Sequence, residues 1–143
     1  MIIRVATLAD VPTLVGLEKL CNPSPWSETQ LSGAIKSSSP SWIIENEQHY
    51  VLAMLVWQLI VDQAEIHLLN THPQHRRQGY AQYLLRHLFQ YAQHQGLTRI
   101  LLEVRAGNNA ARQLYLSEGF TDCGQRKNYY TNGEHAILME KIC

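Results

Sequence analysis

Apolar residues recur along this chain with two different periods, and the switches between them mark out its elements. Ile2 to Val5 reads as a first strand, and from about Asp10 a helix is predicted, with Val11, Leu14, Leu17 and Leu20 near one stripe. Ser27-Glu-Thr-Gln30 is a capping box that opens a second, shorter helix. Lys36-Ser-Ser-Ser-Pro-Ser41 follows as a loop, too short to link two domains. Ser41 to Glu45, His49 to Ile60 and Ala64 to Thr71 read as strands of an antiparallel meander, with polar turns around Asn46 and Asp62. The period then returns to that of a helix. Leu84, Leu85, Leu88, Phe89 and Ala92 recur at i, i+3 and i+4, and Gly96 closes the segment as a C′ residue. Arg99 to Val104 is predicted as a buried strand, followed by a helix from Asn108 to Gly119 and strands near Phe120 to Lys127 and His135 to Ile142.

The order of these elements constrains the fold more than their edges do. Strand, helix, strand across residues 64–104 is a βαβ unit, so the strands ending near Thr71 and Val104 should be parallel neighbours with a right-handed crossover. The expected class is α/β, a mixed and mostly antiparallel sheet whose fourth and fifth strands are parallel, flanked by about four helices. All 143 residues are expected to form one domain. Such a sheet takes ligands beyond the carboxyl ends of its strands.

One junction carries candidate chemistry at such an end. His75-Arg-Arg-Gln-Gly-Tyr-Ala81 joins the strand ending at Thr71 to the helix after it. A helix start leaves backbone N–H groups unpaired and adds partial positive charge, while Gly79 and Ala81 would let a diphosphate approach the backbone closely. Glu103 stands at the end of the following strand, and Tyr115 lies one turn beyond Ala111 in the next helix.

Charge sharpens this reading. The formal net charge is zero, yet residues 1–65 carry three Lys/Arg against seven Asp/Glu, and residues 66–143 carry nine against five. The half with the phosphate cradle is the basic one. With only four lysines in the chain, a small anionic ligand fits better than a long nucleic acid. Cys21, Cys123 and Cys143 are widely spaced and read as reduced thiols, and the seven histidines form no metal-ligand pattern, so no metal is expected. The longest apolar run, Tyr50 to Trp57, is too short to span a bilayer, and Met1-Ile-Ile-Arg is unlike a signal peptide. A cytoplasmic location is expected.

Arg76-Arg-Gln-Gly79-Tyr-Ala81 resembles the pyrophosphate loop, Q/R-x-x-G-x-G/A, of the GNAT N-acetyltransferases. Leu102-Glu-Val-Arg-Ala-Gly-Asn-Asn-Ala-Ala-Arg-Gln-Leu-Tyr115, Glu118-Gly-Phe120, Arg126-Lys-Asn-Tyr-Tyr130 and Pro25-Trp-Ser27 narrow the resemblance to the RimI-like enzymes, which acetylate the N-terminal alanine of small-subunit ribosomal protein S eighteen. The resemblance implies acetyl-CoA as co-substrate and a GNAT fold. It implies that Leu69 and Thr71 at the strand end, Arg76, Arg77, Gln78, Gly79, Tyr80, Ala81 and Gln82 of the loop, and Asn108 bind the cofactor. It implies Glu103 as general base, Tyr115 as general acid, and Trp26, Tyr129 and Tyr130 as walls for the acceptor. The chemistry asks for both an acid and a base, because an α-amine with a pKa of ~8 must lose a proton before it attacks a thioester, and a thiolate must leave. The implied partner is a ribosomal protein N-terminus, with a small amine as the alternative acceptor and a non-catalytic acyl-CoA-binding module as a further one. A monomer or weak dimer that binds neither nucleic acid nor membrane is expected.

Each of these residues also has a plainer reading. Glu103 could pair with Arg105 or another arginine, Tyr115 could be a core phenol, and Arg76 and Arg77 could be a solvated face. Asn108 could be a helix N-cap, and Tyr129 and Tyr130 could be strand packing. The sequence also departs from the family pattern. Thr71-His72-Pro73 stands where many relatives have valine before x-Pro, and Thr131-Asn-Gly-Glu-His135 is shorter than the corresponding turn and lacks a proline after the tyrosines.

Overall fold

A computed structural model describes residues 1–143. Strand β1 (Ile2–Val5) leads through a 3-10 turn at Leu8–Asp10 into α1 (Val11–Cys21), then α2 (Glu28–Lys36), β2 (Trp42–Glu45), β3 (Val51–Ile60) and β4 (Gln63–Thr71). A second 3-10 turn at Pro73–His75 precedes α3 (Tyr80–His94), followed by β5 (Arg99–Arg105), α4 (Asn109–Ser117), β6 (Thr121–Arg126) and β7 (Ala136–Ile142). The sheet order is β1-β2-β3-β4-β5-β7-β6. The predicted parallel pair is present, with Gln63, Ala64 and Glu65 of β4 beside Arg99, Ile100 and Leu101 of β5. The last hairpin folds back so that β7, not β6, lies against β5, antiparallel from Arg99↔Ile142 to Arg105↔Ala136. This is a mixed α/β fold, with the parallel β4–β5 pair set in an otherwise antiparallel sheet.

The packing divides into two units, Met1–Gln58 with Leu68–His87, and Leu59–His67 with Leu88–Cys143. In the first, Val11, Leu14, Leu17, Leu31, Ile43, Met54, Val56 and Leu68 form a buried cluster. Each fully buried leucine there contributes roughly 2 kcal/mol through the apolar surface it removes from water. Leu20 does not join the stripe; it is 58% exposed, and Glu18 is buried on that helix instead. The helical period of about 3.6 residues explains the exchange, since Glu18 follows Leu14 at i+4 and Leu20 is rotated away. The start of α1 is fixed by Asp10, whose carboxylate accepts the Thr7 N–H at 2.7 Å and both terminal nitrogens of Arg4 at 2.9 and 2.8 Å. The Arg4 guanidinium holds the Asp10 carboxyl below its usual range, and its Nε also reaches Glu45 at 3.2 Å.

In the second unit β5 is not uniformly buried, as predicted, but alternates. Ile100, Leu102 and Val104 are buried while Glu103 between them is exposed. The period of two carries the Glu103 carboxylate to the wet face. The capping box at Ser27 forms as read, with the Gln30 N–H donating to Ser27 Oγ at 3.2 Å and the Ser27 N–H to Gln30 Oε1 at 2.8 Å. Leu84, Leu85, Leu88 and Ala92 are fully buried, Phe89 at the edge of that stripe is half-buried, and Gly96 closes α3 at φ 68°.

Candidate active site

In the first unit, the chain between β4 and α3 is arranged to present its backbone. The His72 N–H donates to the Leu52 carbonyl at 2.8 Å, and His72 Nδ1 accepts the Gln74 N–H at 3.1 Å, which anchors the turn at Pro73–His75. Arg77 and Gly79 then adopt left-handed conformations, at φ 63° and 84°. Glycine enters that region without cost and arginine rarely does, and turns of this kind aim successive N–H groups into one concavity. The first intrahelical bond of α3 runs from the Tyr83 N–H to the Gly79 carbonyl at 3.0 Å. The amides of Tyr80, Ala81 and Gln82 are therefore those a helix start leaves unpaired. A Cβ at Gly79 would meet only Gln82 Oε1, at 3.8 Å, so the space beside this backbone is open. Arg76 and Arg77 are exposed, and the Tyr80 hydroxyl donates to Gln78 Oε1 at 3.0 Å. Open approach, unpaired amides and two cations fit a diphosphate.

The strand end before this turn alternates. Leu69 and Thr71 are half-buried, while Leu68 and Asn70 are buried. The Thr71 carbonyl accepts Cys21 Sγ at 3.4 Å and Arg76 Nε at 3.5 Å. Trp26 packs against the buried cluster of the first unit, and its N–H donates to Glu18 Oε2 at 2.7 Å.

In the second unit, Glu103 keeps 30% of its side chain exposed and accepts Arg126 Nε at 2.8 Å, so its arginine is Arg126 and not Arg105. The Arg105 guanidinium lies 3.7 Å from the Tyr130 ring centre and 3.6 Å from Glu134 Oε1. Arg126 lies 5.5 Å from the ring centre of Tyr129, which packs edge-on to Tyr130 at 5.2 Å. Glu103, Arg126, Tyr129, Tyr130, Arg105 and Glu134 are thus one continuous network, linking the two tyrosines to the strand-end carboxylate.

Glu134 explains how the short turn after Tyr130 is held. Its Oε2 accepts the Gly107 N–H at 2.8 Å, which ties the last hairpin to the turn before α4, and this bond is the main reason its carboxyl lies below the usual range. A Cβ at Gly107 would meet the same oxygen at 2.7 Å. Asn108 is an N-cap, its Oδ1 accepting the Ala111 N–H at 3.2 Å. Tyr115 is 8% exposed and packs edge-on to Phe120 at 5.6 Å. Burial pushes its hydroxyl up to about 12, so it stays protonated at neutral pH and keeps a proton to donate.

Sequence reasoning passed over Glu18 and Asn70, and met Arg126 and Glu134 only inside longer motifs, with no partner or role for either. Glu18 had a legible signal, a charge at a stripe position four residues after Leu14. The others became visible only through long-range contacts. No helix is long and apolar enough to cross a membrane.

The comparisons with known proteins agree with this architecture. The acetyltransferase (GNAT) family profile matches residues 11–120. The ribosomal protein bS18-alanine N-acetyltransferase of Escherichia coli strain K12 is 34% identical over 134 residues, covering 91% of this chain and 89% of that protein. Its counterpart of the same name in Salmonella typhimurium is 30% identical over 140 residues, covering 96% and 94%. A crystal structure of the ribosomal-protein-S18-alanine N-acetyltransferase from Escherichia coli superposes with a TM-score of 0.92 at 30% identity, covering 99% of this chain and 92% of that one. Ard1 from Thermoplasma volcanium shares the fold, with a TM-score of 0.93 at 20% identity over 99% and 96% of the two chains. With its sheet order, parallel pair and helix-start cradle, this chain belongs to the acetyltransferase (GNAT) family.

Proposed function

We propose that this protein acetylates the α-amine of a protein N-terminus, with the N-terminal alanine of ribosomal protein bS18 as its acceptor. The observation that carries the reading is likeness over nine-tenths of the chain to enzymes named for that reaction, at 34% identity. Acetyl-CoA, as co-substrate, supplies the thioester acetyl group. The backbone amides from Arg77 to Gln82 hold its pyrophosphate, with Arg76 and Arg77 adding charge, while Leu69, Thr71 and Asn108 contact the remainder. Glu103, half open to water and oriented by Arg126, takes the proton from the incoming ammonium, directly or through one water. Tyr115, protonated by virtue of its burial, donates a hydrogen bond and then a proton to the departing sulfur. Trp26, Tyr129 and Tyr130 line the acceptor's path, and the chain acts as one domain, in the cytoplasm, without a metal.

The test is to incubate the pure protein with acetyl-CoA and a peptide carrying the bS18 N-terminus, alongside a panel of polyamines and aminoglycosides. The expected result is a mass gain of one acetyl group at the peptide α-amine. Thiol release with small amines alone would overturn the assignment of acceptor and leave acetyl transfer standing.

A further inference from the structure

Glu18 is fully buried, and its partners are neutral. Oε1 accepts the Asn70 side-chain amide at 2.9 Å, and Oε2 accepts the Trp26 backbone N–H at 2.7 Å and the Asn22 side-chain amide at 3.5 Å. No arginine or lysine is among these partners. One turn later on the same helix, Cys21 Sγ donates to the Thr71 carbonyl at 3.4 Å. The last turn of α1 therefore grips the end of β4 at two successive residues, Asn70 and Thr71, and with the same carboxylate grips the loop that presents Trp26. A leucine at this stripe position would fill the space without the desolvation that a buried carboxylate suffers. It could not accept hydrogen bonds from two separate segments at once.

We propose that Glu18 is a positioning residue for acetyl transfer, fixing the Trp26 loop against the β4 end so that the acceptor wall and the acetyl-binding strand keep one register. This rests on the acceptor role of Trp26 and the cofactor-binding roles of Leu69 and Thr71 given above. The carboxylate suits the task because both facing groups, the Trp26 N–H and the Asn70 amide, are donors, and a carboxylate offers an acceptor to each. Glutamine offers one acceptor and one donor, so in Glu18→Gln one contact sets donor against donor with Asn70 as it stands, and relieving it requires the Asn70 amide to turn over and present Oδ1. Asn70→Asp introduced beside it turns that contact into donor and acceptor again.

The experiment measures acceptor KM, kcat, acetyl-CoA Kd and thermal midpoint for the wild type, Glu18→Gln, and the double variant Glu18→Gln/Asn70→Asp. The expected result is a rise of about tenfold in acceptor KM for Glu18→Gln with acetyl-CoA Kd within about twofold of wild type, and recovery of most of the loss in the double variant. Amide hydrogen exchange at Trp26 should accelerate in the single variant and slow again in the double. An unchanged acceptor KM in a folded Glu18→Gln protein overturns the proposal. So does a loss shared equally by acceptor KM, cofactor Kd and thermal midpoint, or a variant that unfolds and is not rescued by Asn70→Asp, because each marks a purely structural role. If the wild type accepts a small amine and not the peptide, the proposed acceptor fails while the same comparison, run with that amine, still decides on Glu18; no turnover with any acceptor overturns both.

Discussion

Two carboxylates separate two kinds of region in this protein. Glu18, on the last turn of α1, is fully buried and bonded by neutral donors from a loop and a strand end. Glu103, on β5, keeps 30% of its side chain exposed and is paired with an arginine on β6. A carboxylate that exchanges protons with a substrate must reach water or the substrate itself, which suits the base role proposed for Glu103 and the holding role proposed for Glu18. The difference is one of register. Period two in a strand turns Glu103 outward between buried Leu102 and Val104, and the helical period turns Glu18 inward behind Leu14.

The largest effect is expected at Tyr115, the proposed proton donor. Tyr115→Phe is expected to lower kcat by about 10²-fold with acetyl-CoA affinity nearly intact, measured by steady-state kinetics and direct binding. Equal activity would remove the acid role and leave a core phenol. The same residue sets an alkaline stability limit. Its folded pKa of about 12 exceeds the ordinary value of 10, so burial favours the protonated form; the full contribution is present below pH 10 and is lost as the pH rises to 12. Chemical denaturation of the wild type should show this fall, and Tyr115→Phe should flatten it.

Glu103→Gln comes next. A drop of about tenfold in kcat/KM near pH 8 is expected, growing as pH falls, because without a base only acceptor molecules already deprotonated can attack. A ratio that stays flat across pH would turn Glu103 into a holding residue like Glu18 and erase the contrast. Gly79→Val tests the cradle, where φ is 84° and a side chain would stand in the open approach. Acetyl-CoA Kd should rise by roughly tenfold, read by calorimetry, with acceptor KM little changed. Unaltered affinity would move the pyrophosphate site elsewhere.

The smallest effect sharpens the role of the holding region. Ser27→Ala removes the cap that starts α2 directly after the Trp26 loop. It should cost about 1 kcal/mol of stability by denaturant titration and leave acceptor KM within about twofold. A shift in KM as large as that expected for Glu18→Gln would show that general loosening of the loop, and not the buried carboxylate, governs the acceptor.

Much of this molecule is written locally. The stripe Leu84, Leu85, Leu88 and Ala92, the capping box at Ser27 and the strand-turn-helix around Gly79 follow from nearest-neighbour chemistry, and all are present as read. The candidate site residues were legible for the same reason, since Arg76 to Gln82 and Leu102 to Tyr115 are continuous stretches. Leu20 failed because a helical stripe about four residues wide leaves its edge ambiguous until the neighbours are known, and the exposed face of β5 could not be told from a short run of mixed residues.

Local pattern was enough for the elements, their order, the parallel pair that a βαβ connection imposes, and the backbone cradle that a glycine at a helix start makes possible. Only the tertiary structure decided that Arg126, and not Arg105, pairs with Glu103, that β7 lies between β5 and β6, that Glu134 closes the short hairpin onto Gly107, and that Glu18 joins Trp26 to Asn70. Those contacts span up to 52 residues, and no periodicity or local propensity encodes which distant donor a carboxylate will meet once the chain has closed.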